Sequence, residues 1–327
     1  LCIMDGWGIE KNIKNNAIRL AKTPNYDKLI KNFPSSFLKA SGNSVGLPKN
    51  QIGNSEVGHM NIGSGRVILQ SLPKIDKAFK ENQISKNENL DKFIKKLNPE
   101  KSVHILGLCS YGGVHSHARH IIEMSKIISK KSKNVKLHIF SDGRDTLPNE
   151  LSTIIAEFSS NLPKSIKICS LIGRYYSMDR DNRWNRVKKA HDLIVNGKGN
   201  YNFQNIFEAV DNAYKRGETD EFISPTTISN YKGIEAGDSI IMTNFRADRV
   251  REFLESLVNP NFNKFQRDEN ILPITNTLGM YHYSDELSKY ILSIFKNELY
   301  EKTLGEVISL AGLTQLRIAE TEKYPHV

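Results

Sequence analysis

Apolar positions along the chain fall into two alternating rhythms. Short aliphatic runs recur at Leu1–Met4, Val103–Cys109, Val135–Phe140, Ile166–Ile172, Ser239–Thr243, Thr275–Tyr281 and Thr314–Ala319. Runs of this length and composition predict β-strands. Between them lie segments with helical spacing. In Ser116–Ser129 the residues Ile121, Ile122, Met124, Ile127 and Ile128 share one side. Pro148–Phe158, Trp184–Val195, Asp248–Val258 and Thr303–Leu310 read the same way. Thr23-Pro24 makes an N-cap and first-turn pair for a helix running through Leu29. Strands alternating with amphipathic helices predict an α/β layered fold.

The rhythm breaks twice. Pro73 interrupts near Leu69–Lys74, after a glycine-rich stretch, and Phe295–Lys302 is polar. These breaks predict an inserted domain over residues 70–297. The flanking pieces, 1–69 and 298–327, would form a second domain together. Leu1 already lies inside a strand-like run, and the run at Thr314–Ala319 is followed by no helix. A fragment of something longer is therefore expected.

Composition narrows the classes. The chain has 327 residues, long enough for two ordinary domains, with 39% hydrophobic and 25% charged residues. No apolar stretch reaches membrane-spanning length and no signal peptide opens the chain, so a cytoplasmic protein with no membrane partner is expected. Cys2, Cys109 and Cys169 are widely spaced, and read as reduced, mostly buried strand residues. The net charge of +10 comes largely from lysine-rich faces such as Lys95-Lys96 and Lys130-Lys131. Basic and aromatic residues are not interleaved, which argues against nucleic acid. The arginines fit a small anionic substrate better.

Their placement carries that argument. Gly143-Arg144-Asp145 follows the run ending at Phe140. The segment Gly173–Trp184, with Arg174, Arg180 and Arg183, follows the run ending at Ile172. Asn244-Phe245-Arg246-Ala247-Asp248-Arg249 follows the run ending at Thr243. Parallel strands bring such ends to one rim, and the arginine fork suits phosphate and carboxylate. One Arg-Asp pair is more often a surface salt bridge; three coincident strand ends weaken that reading. His115, His117 and His120 follow another strand end and invite a zinc reading. His115 also suits hydrogen bonding to an anion, and His117 or His120 suits packing. Asp145, beside Arg144, can manage a hydroxyl proton or serve as an N-cap or in a loop salt bridge. Ser55, in Gly53-Asn54-Ser55-Glu56-Val57-Gly58-His59, stands where a loop turns into a helix. A hydroxyl there caps the helix or, assisted by free N–H groups, carries a phosphate. Asp5 ends the first apolar run, where an α/β sheet would present a carboxylate.

Taken in order, these strings resemble the cofactor-independent phosphoglycerate mutases of the alkaline phosphatase superfamily. The strings are Asp5-Gly6-Trp7-Gly8, Gly53–His59, Tyr111–His117, Asp142–Asp145, Gly173–Trp184, Asn244–Arg249 and Glu320–His326. The resemblance implies an alkaline phosphatase-like α/β sandwich domain interrupted by an inserted α/β transferase domain. It implies interconversion of 3-phosphoglycerate and 2-phosphoglycerate through a phosphoserine on Ser55, without bisphosphoglycerate, by a monomer. Asp5 and Ser55 would be ligands of a two-Mn²⁺ site whose remaining ligands lie beyond Val327, so this chain alone would not turn over. His115, Arg144, Asp145, Arg174, Arg180, Arg246, Arg249 and Lys323 match substrate-binding positions, and Asp145 would act in catalysis. A phosphatase or phosphopentomutase of the same superfamily is the alternative, as is a non-catalytic phosphate-binding module.

Overall fold

The computed structural model describes residues 1–267, 273–296, 300–320, 323–324 and 326–327. Contacts divide the chain into two units: Leu1–Gln70 with Tyr300–Val327, and Ser71–Leu299.

The larger unit is built on a sheet of β1 (Val103–Leu108), β2 (Val135–Ser141), β3 (Lys167–Gly173), β4 (Tyr201–Phe203), β5 (Thr226–Ile228), β6 (Ser239–Met242), β7 (Thr277–Tyr281) and β8 (Ile291–Phe295). The order across it is β4-β5-β3-β2-β1-β6-β7-β8. Neighbours are parallel except β3 and β5, which run antiparallel. The five runs expected as strands in this unit are central or next to central. The polar, three-residue β4 and β5 at one edge, and β8 at the other, escaped the apolar pattern.

Strand alternation feeds two cores, one on each face of the sheet. From β1, Val103 and Ile105 join the first, whereas Leu106 and Leu108 join the second. The first face is covered by α4 (Ser71–Lys80), α5 (Glu88–Lys95), α6 (Ala118–Ile128), α7 (Leu151–Asn161) and α10 (Ile206–Lys215). The second is covered by α9 (Trp184–Asn196) and α11 (Arg251–Val258). The short α8 (Arg174–Ser177) follows β3 directly. Pro73 does not end a segment. It sits in the first turn of α4, where a missing N–H costs nothing.

The smaller unit holds α1 (Ala17–Leu20), α2 (Pro24–Asn32), α3 (Ser55–Ser64) and α12 (Leu304–Leu310), and no strand among its described residues. The strands expected at Leu1–Met4 and Thr314–Ala319 are absent. Leu1, Met4, Leu316 and Ile318 are exposed, and no ladder pairs either run. An apolar run becomes a strand only when a neighbour takes up its backbone groups. Cys2 accordingly is exposed and outside any strand, whereas Cys109 and Cys169 are buried. Thr23 precedes α2 but makes no capping bond to its backbone; its hydroxyl donates to Asp27 instead.

Candidate active site

Four adjacent parallel strands, β3-β2-β1-β6, end on one edge of the larger unit's sheet. Arg174 follows β3, Arg144 and Asp145 follow β2, His115 follows β1, and Arg246 and Arg249 follow β6. Gly143, at φ 69°, makes the turn after β2; a Cβ there would lie 2.6 Å from the Glu221 nitrogen.

Asp142 ties three of these strand ends together. Its Oδ1 accepts from the backbone N–H of Asp145 at 3.0 Å, from that of Arg144 at 3.2 Å and from Arg174 Nη1 at 2.6 Å. Its Oδ2 accepts from Ser110 Oγ, just beyond β1, at 2.5 Å. Burial raises the Asp142 carboxyl, but these donors and the Arg174 charge together leave it below its ordinary value. The same Arg174 Nη1 reaches Asp145 Oδ2 at 2.5 Å. Arg174 is only 3% exposed, so its charge is neutralised inside the protein. One guanidinium thus faces two carboxylates. Asp142 supplies the buried counter-charge, and Asp145 keeps a carboxylate edge toward His115 Nε2, 3.9 Å away.

Asp248 is a second hub. Its Oδ2 accepts from Arg180 Nη1 at 2.9 Å, and its Oδ1 lies 3.2 Å from Arg246 Nε and 3.6 Å from His115 Nδ1. Both Asp248 Oδ1 and His115 Nδ1 are buried without a hydrogen-bond partner. Arg249 Nη1 donates to the Met178 carbonyl at 3.1 Å. Burial lowers the Arg249 guanidinium's pKa, and the positive charges of Arg180, Arg174 and Arg144 lower it further. The His115 imidazole is pushed down to about 4, first by burial and then by Arg174, and is neutral at pH 7. The rim thus gathers several arginines and their carboxylate partners on fixed supports, groups whose chemistry suits a small multivalent anion.

His117 and His120 stand apart from this chemistry. His117 caps α6, accepting from the Arg119 N–H at 3.3 Å. His120 is buried and bonds Asp76 Oδ1 at 2.8 Å, beside the Asp76–Arg119 ion pair. The zinc reading of the three imidazoles gains no support, because the described residues contain no group of three metal-ligating side chains.

The smaller unit carries the other candidates. Ser55 opens α3, but the cap is Asn54, whose side chain accepts from the Val57 N–H at 3.0 Å. Capping therefore does not occupy the Ser55 hydroxyl. His59, one turn along α3, has Nδ1 2.8 Å from the Ser55 carbonyl and 3.2 Å from Ser55 Oγ. A carbonyl only accepts, so His59 Nδ1 carries the proton. The Ser55 O–H is left for an acceptor of its own, with the Asp5 carboxylate and His326 Nδ1, 3.1 Å away, both within reach. Asp5 sits in a turn rather than at a strand end, and its Oδ2 takes the Lys323 ammonium at 2.5 Å. Lys323, and after it Ser55, hold the Asp5 carboxyl down at about 2. Two Mn²⁺ ions need many more oxygen and nitrogen ligands than Asp5 and Ser55 offer. The described residues do not fit that pair of ions.

Residues 75–285 match the family model described as BPG-independent PGAM N-terminus. The chain belongs to this phosphoglycerate mutase family. Among its relatives are proteins named 2,3-bisphosphoglycerate-independent phosphoglycerate mutase. That of Gluconobacter oxydans is 44% identical over 328 residues, covering all of this chain and 64% of that protein. The corresponding proteins of Rhodopseudomonas palustris and Shewanella denitrificans are 44% and 45% identical, again over the whole chain and over 65% and 64% of their own lengths. The chain thus spans about two-thirds or slightly less of these mutases. A solved structure of Leishmania mexicana phosphoglycerate mutase at low cobalt concentration matches with a TM-score of 0.72 and 29% identity, covering 99% of this chain and 62% of that one. Like that mutase, the chain has an α/β fold.

Sequence reasoning on this mutase-family chain passed over Asp142, Ser110, Asp248, His59 and His326 as site residues. The Ser55/His59 spacing of four on a helix would have signalled that contact. The others are joined across strands or over long separations, where spacing carries no signal.

Proposed function

We propose that this chain carries the phosphoglycerate-binding rim and the phosphate-carrying serine of a mutase that interconverts 3-phosphoglycerate and 2-phosphoglycerate. One observation supports it most: four neighbouring strand ends collect Arg144, Arg174, Arg246 and Arg249, with Arg180 beside them, around His115 and Asp145. A phosphoglycerate brings a phosphate and a carboxylate, the two groups that arginine forks hold best. The two units correspond in this reading to a transferase domain, 70–297, and a phosphatase-like domain from 1–69 and 298–327.

In the reaction, Ser55 Oγ forms a bond to phosphorus as the bond from phosphorus to the glycerate oxygen breaks. The serine proton leaves toward His326 or Asp5, and the released glycerate oxygen takes up a proton from solvent. Return runs through the other hydroxyl. Its proton passes to the Asp145 carboxylate and on to solvent as its oxygen attacks phosphorus and the phosphoserine P–O bond breaks, and Ser55 Oγ takes its own proton back from His326 or Asp5. Substrate and product differ only in which oxygen bears the phosphate, so no bisphosphoglycerate is consumed. His115, neutral at pH 7, donates a hydrogen bond without adding charge. Lys323 orients Asp5. Mn²⁺ in this family-based reading would stabilise the serine alkoxide. Asp5 and Ser55 alone do not complete its site. The place of action in this reading is the cytoplasm, and no helix among the described residues is long and apolar enough to cross a membrane.

Calorimetric titration of 3-phosphoglycerate into the 327-residue chain tests the binding half. Saturable 1:1 binding is expected, weakened about tenfold by Arg249→Lys because a point charge does not replace a bidentate fork. Binding that ignores phosphoglycerate but takes up nucleic acid with steep salt dependence would sink the reading in favour of a basic interaction module. In an enolase-coupled assay with Mn²⁺ the same chain should show no turnover, and normal turnover would refute the incomplete ligand set.

A further inference from the structure

Arg180 and Arg246, two of the groups read as anion binders, already have an anion. Asp248 takes Arg180 through Oδ2 at 2.9 Å and stands 3.2 Å from Arg246 Nε through Oδ1. The two arginines are about half exposed, with side-chain accessibilities of 46% and 53%. Asp248 itself is anchored between elements, at the start of the segment leading into α11 and against the buried ring of His115. Asp248 Oδ1 is buried and makes no hydrogen bond, so its compensation is the charge of Arg246 at 3.2 Å. The groups facing it are Arg180 from the loop after α8, Arg246 from its own segment and His115 from the segment after β1, with the charge of Arg249 also acting on it. No other carboxylate pairs with Arg180 or Arg246 among the described residues.

We propose that Asp248 is a specificity-determining residue, an internal counter-anion that an incoming ligand must displace from Arg180 and Arg246. This rests on reading the rim as the phosphoglycerate site. Two consequences follow from charge alone. A ligand with two anionic groups can replace Asp248 at both arginines, whereas a single small anion replaces it at one and leaves the other pairing intact. Asp248 therefore favours phosphoglycerate over free phosphate. It also lowers absolute affinity, because each arginine exchanges one carboxylate partner for another and the displaced Asp248 charge stays nearby.

Calorimetry on the 327-residue chain with 3-phosphoglycerate and, separately, inorganic phosphate tests this. Asp248→Asn is expected to bind 3-phosphoglycerate about tenfold more tightly than wild type, and to gain still more for inorganic phosphate, narrowing the preference. Asp248→Glu, which restores the charge, should return both affinities toward wild type. A residue that merely supports the fold or contacts the ligand gives the opposite sign. Thermal melts of each variant identify any that fail to fold, and Asp248→Ser then replaces Asp248→Asn with the same expectation. Wild type binding 3-phosphoglycerate while the folded neutral variants bind equally or more weakly overturns the proposal and leaves the rim reading standing. No binding by wild type or variants overturns both.

Discussion

At the scale of single residues, the rim is organised by carboxylates rather than by its arginines. Asp142 is 2% exposed and accepts four bonds, from Ser110, Arg144, Asp145 and Arg174. Removing it leaves Arg174 buried beside Asp145 alone and unpins the turn after β2. Deleting one partner of a buried ion pair costs about 3–5 kcal/mol. Asp142→Ala should lose about that much in urea unfolding, and Asp142→Asn less, because the amide oxygen still accepts from the turn. A loss below about 1 kcal/mol for the alanine variant would show that Asp142 is dispensable to the turn. The arginines were legible from sequence because each follows an apolar run at a strand end. Their supports were not. Asp142 and Asp248 stand inside the same motifs, but whether an aspartate faces solvent or three strand ends depends on which strands are neighbours.

At the scale of elements, five central strands were readable because their aliphatic runs have only one way to be buried. The runs at Leu1–Met4 and Thr314–Ala319 look the same and form nothing, since pairing is a property of two segments. Within the sheet, sequence also hid a buried polar chain across three strands. Asp238 accepts from His104 Nε2 at 3.0 Å, so His104 Nδ1 is free to accept from His138 Nε2 at 2.8 Å. His138 Nδ1 then accepts from Ser170 Oγ at 2.7 Å. Every donor meets an acceptor only while both imidazoles are neutral. Replacing His138 by Leu strands Ser170 and His104, and should cost on the order of 2–4 kcal/mol in urea unfolding. An unchanged midpoint and slope would deny the chain any structural weight. Acid acts on the same weakness. Burial lowers the pKa of His104 and His138, and holds His115 and His191 near 4 and His117 near 3. Depressed folded values mean that the unfolded chain binds protons first. Stability is then full above about pH 6.5 and falls as pH drops from there toward 4, by at most ~1.4 kcal/mol per unit for each of His115, His117 and His191, with His104 and His138 acting in the same direction. Denaturation midpoints constant between pH 7 and 4.5 would contradict this.

For the whole molecule, the two units differ in kind. The larger has a core on each face of its sheet. In the smaller, Leu47, Val57 and Ile68 are the buried aliphatic side chains among the described residues, while Phe37, Leu38 and Ile52 lie more than 80% exposed. Helices with so little buried apolar surface open at low cost. Hydrogen exchange should therefore run faster in α2, α3 and α12 than in β1, β2 and β3, and equal protection would contradict that ranking. The contrast in core size between the two units follows from pairing and was out of reach of the sequence. The central claim is that the rim of the larger unit receives phosphoglycerate. Amide and arginine side-chain chemical shifts recorded during a 3-phosphoglycerate titration test it most directly. The account predicts saturating changes that centre on His115, Arg144, Asp145, Arg174, Arg180, Arg246 and Arg249. Changes centred elsewhere, or none at all, would contradict it.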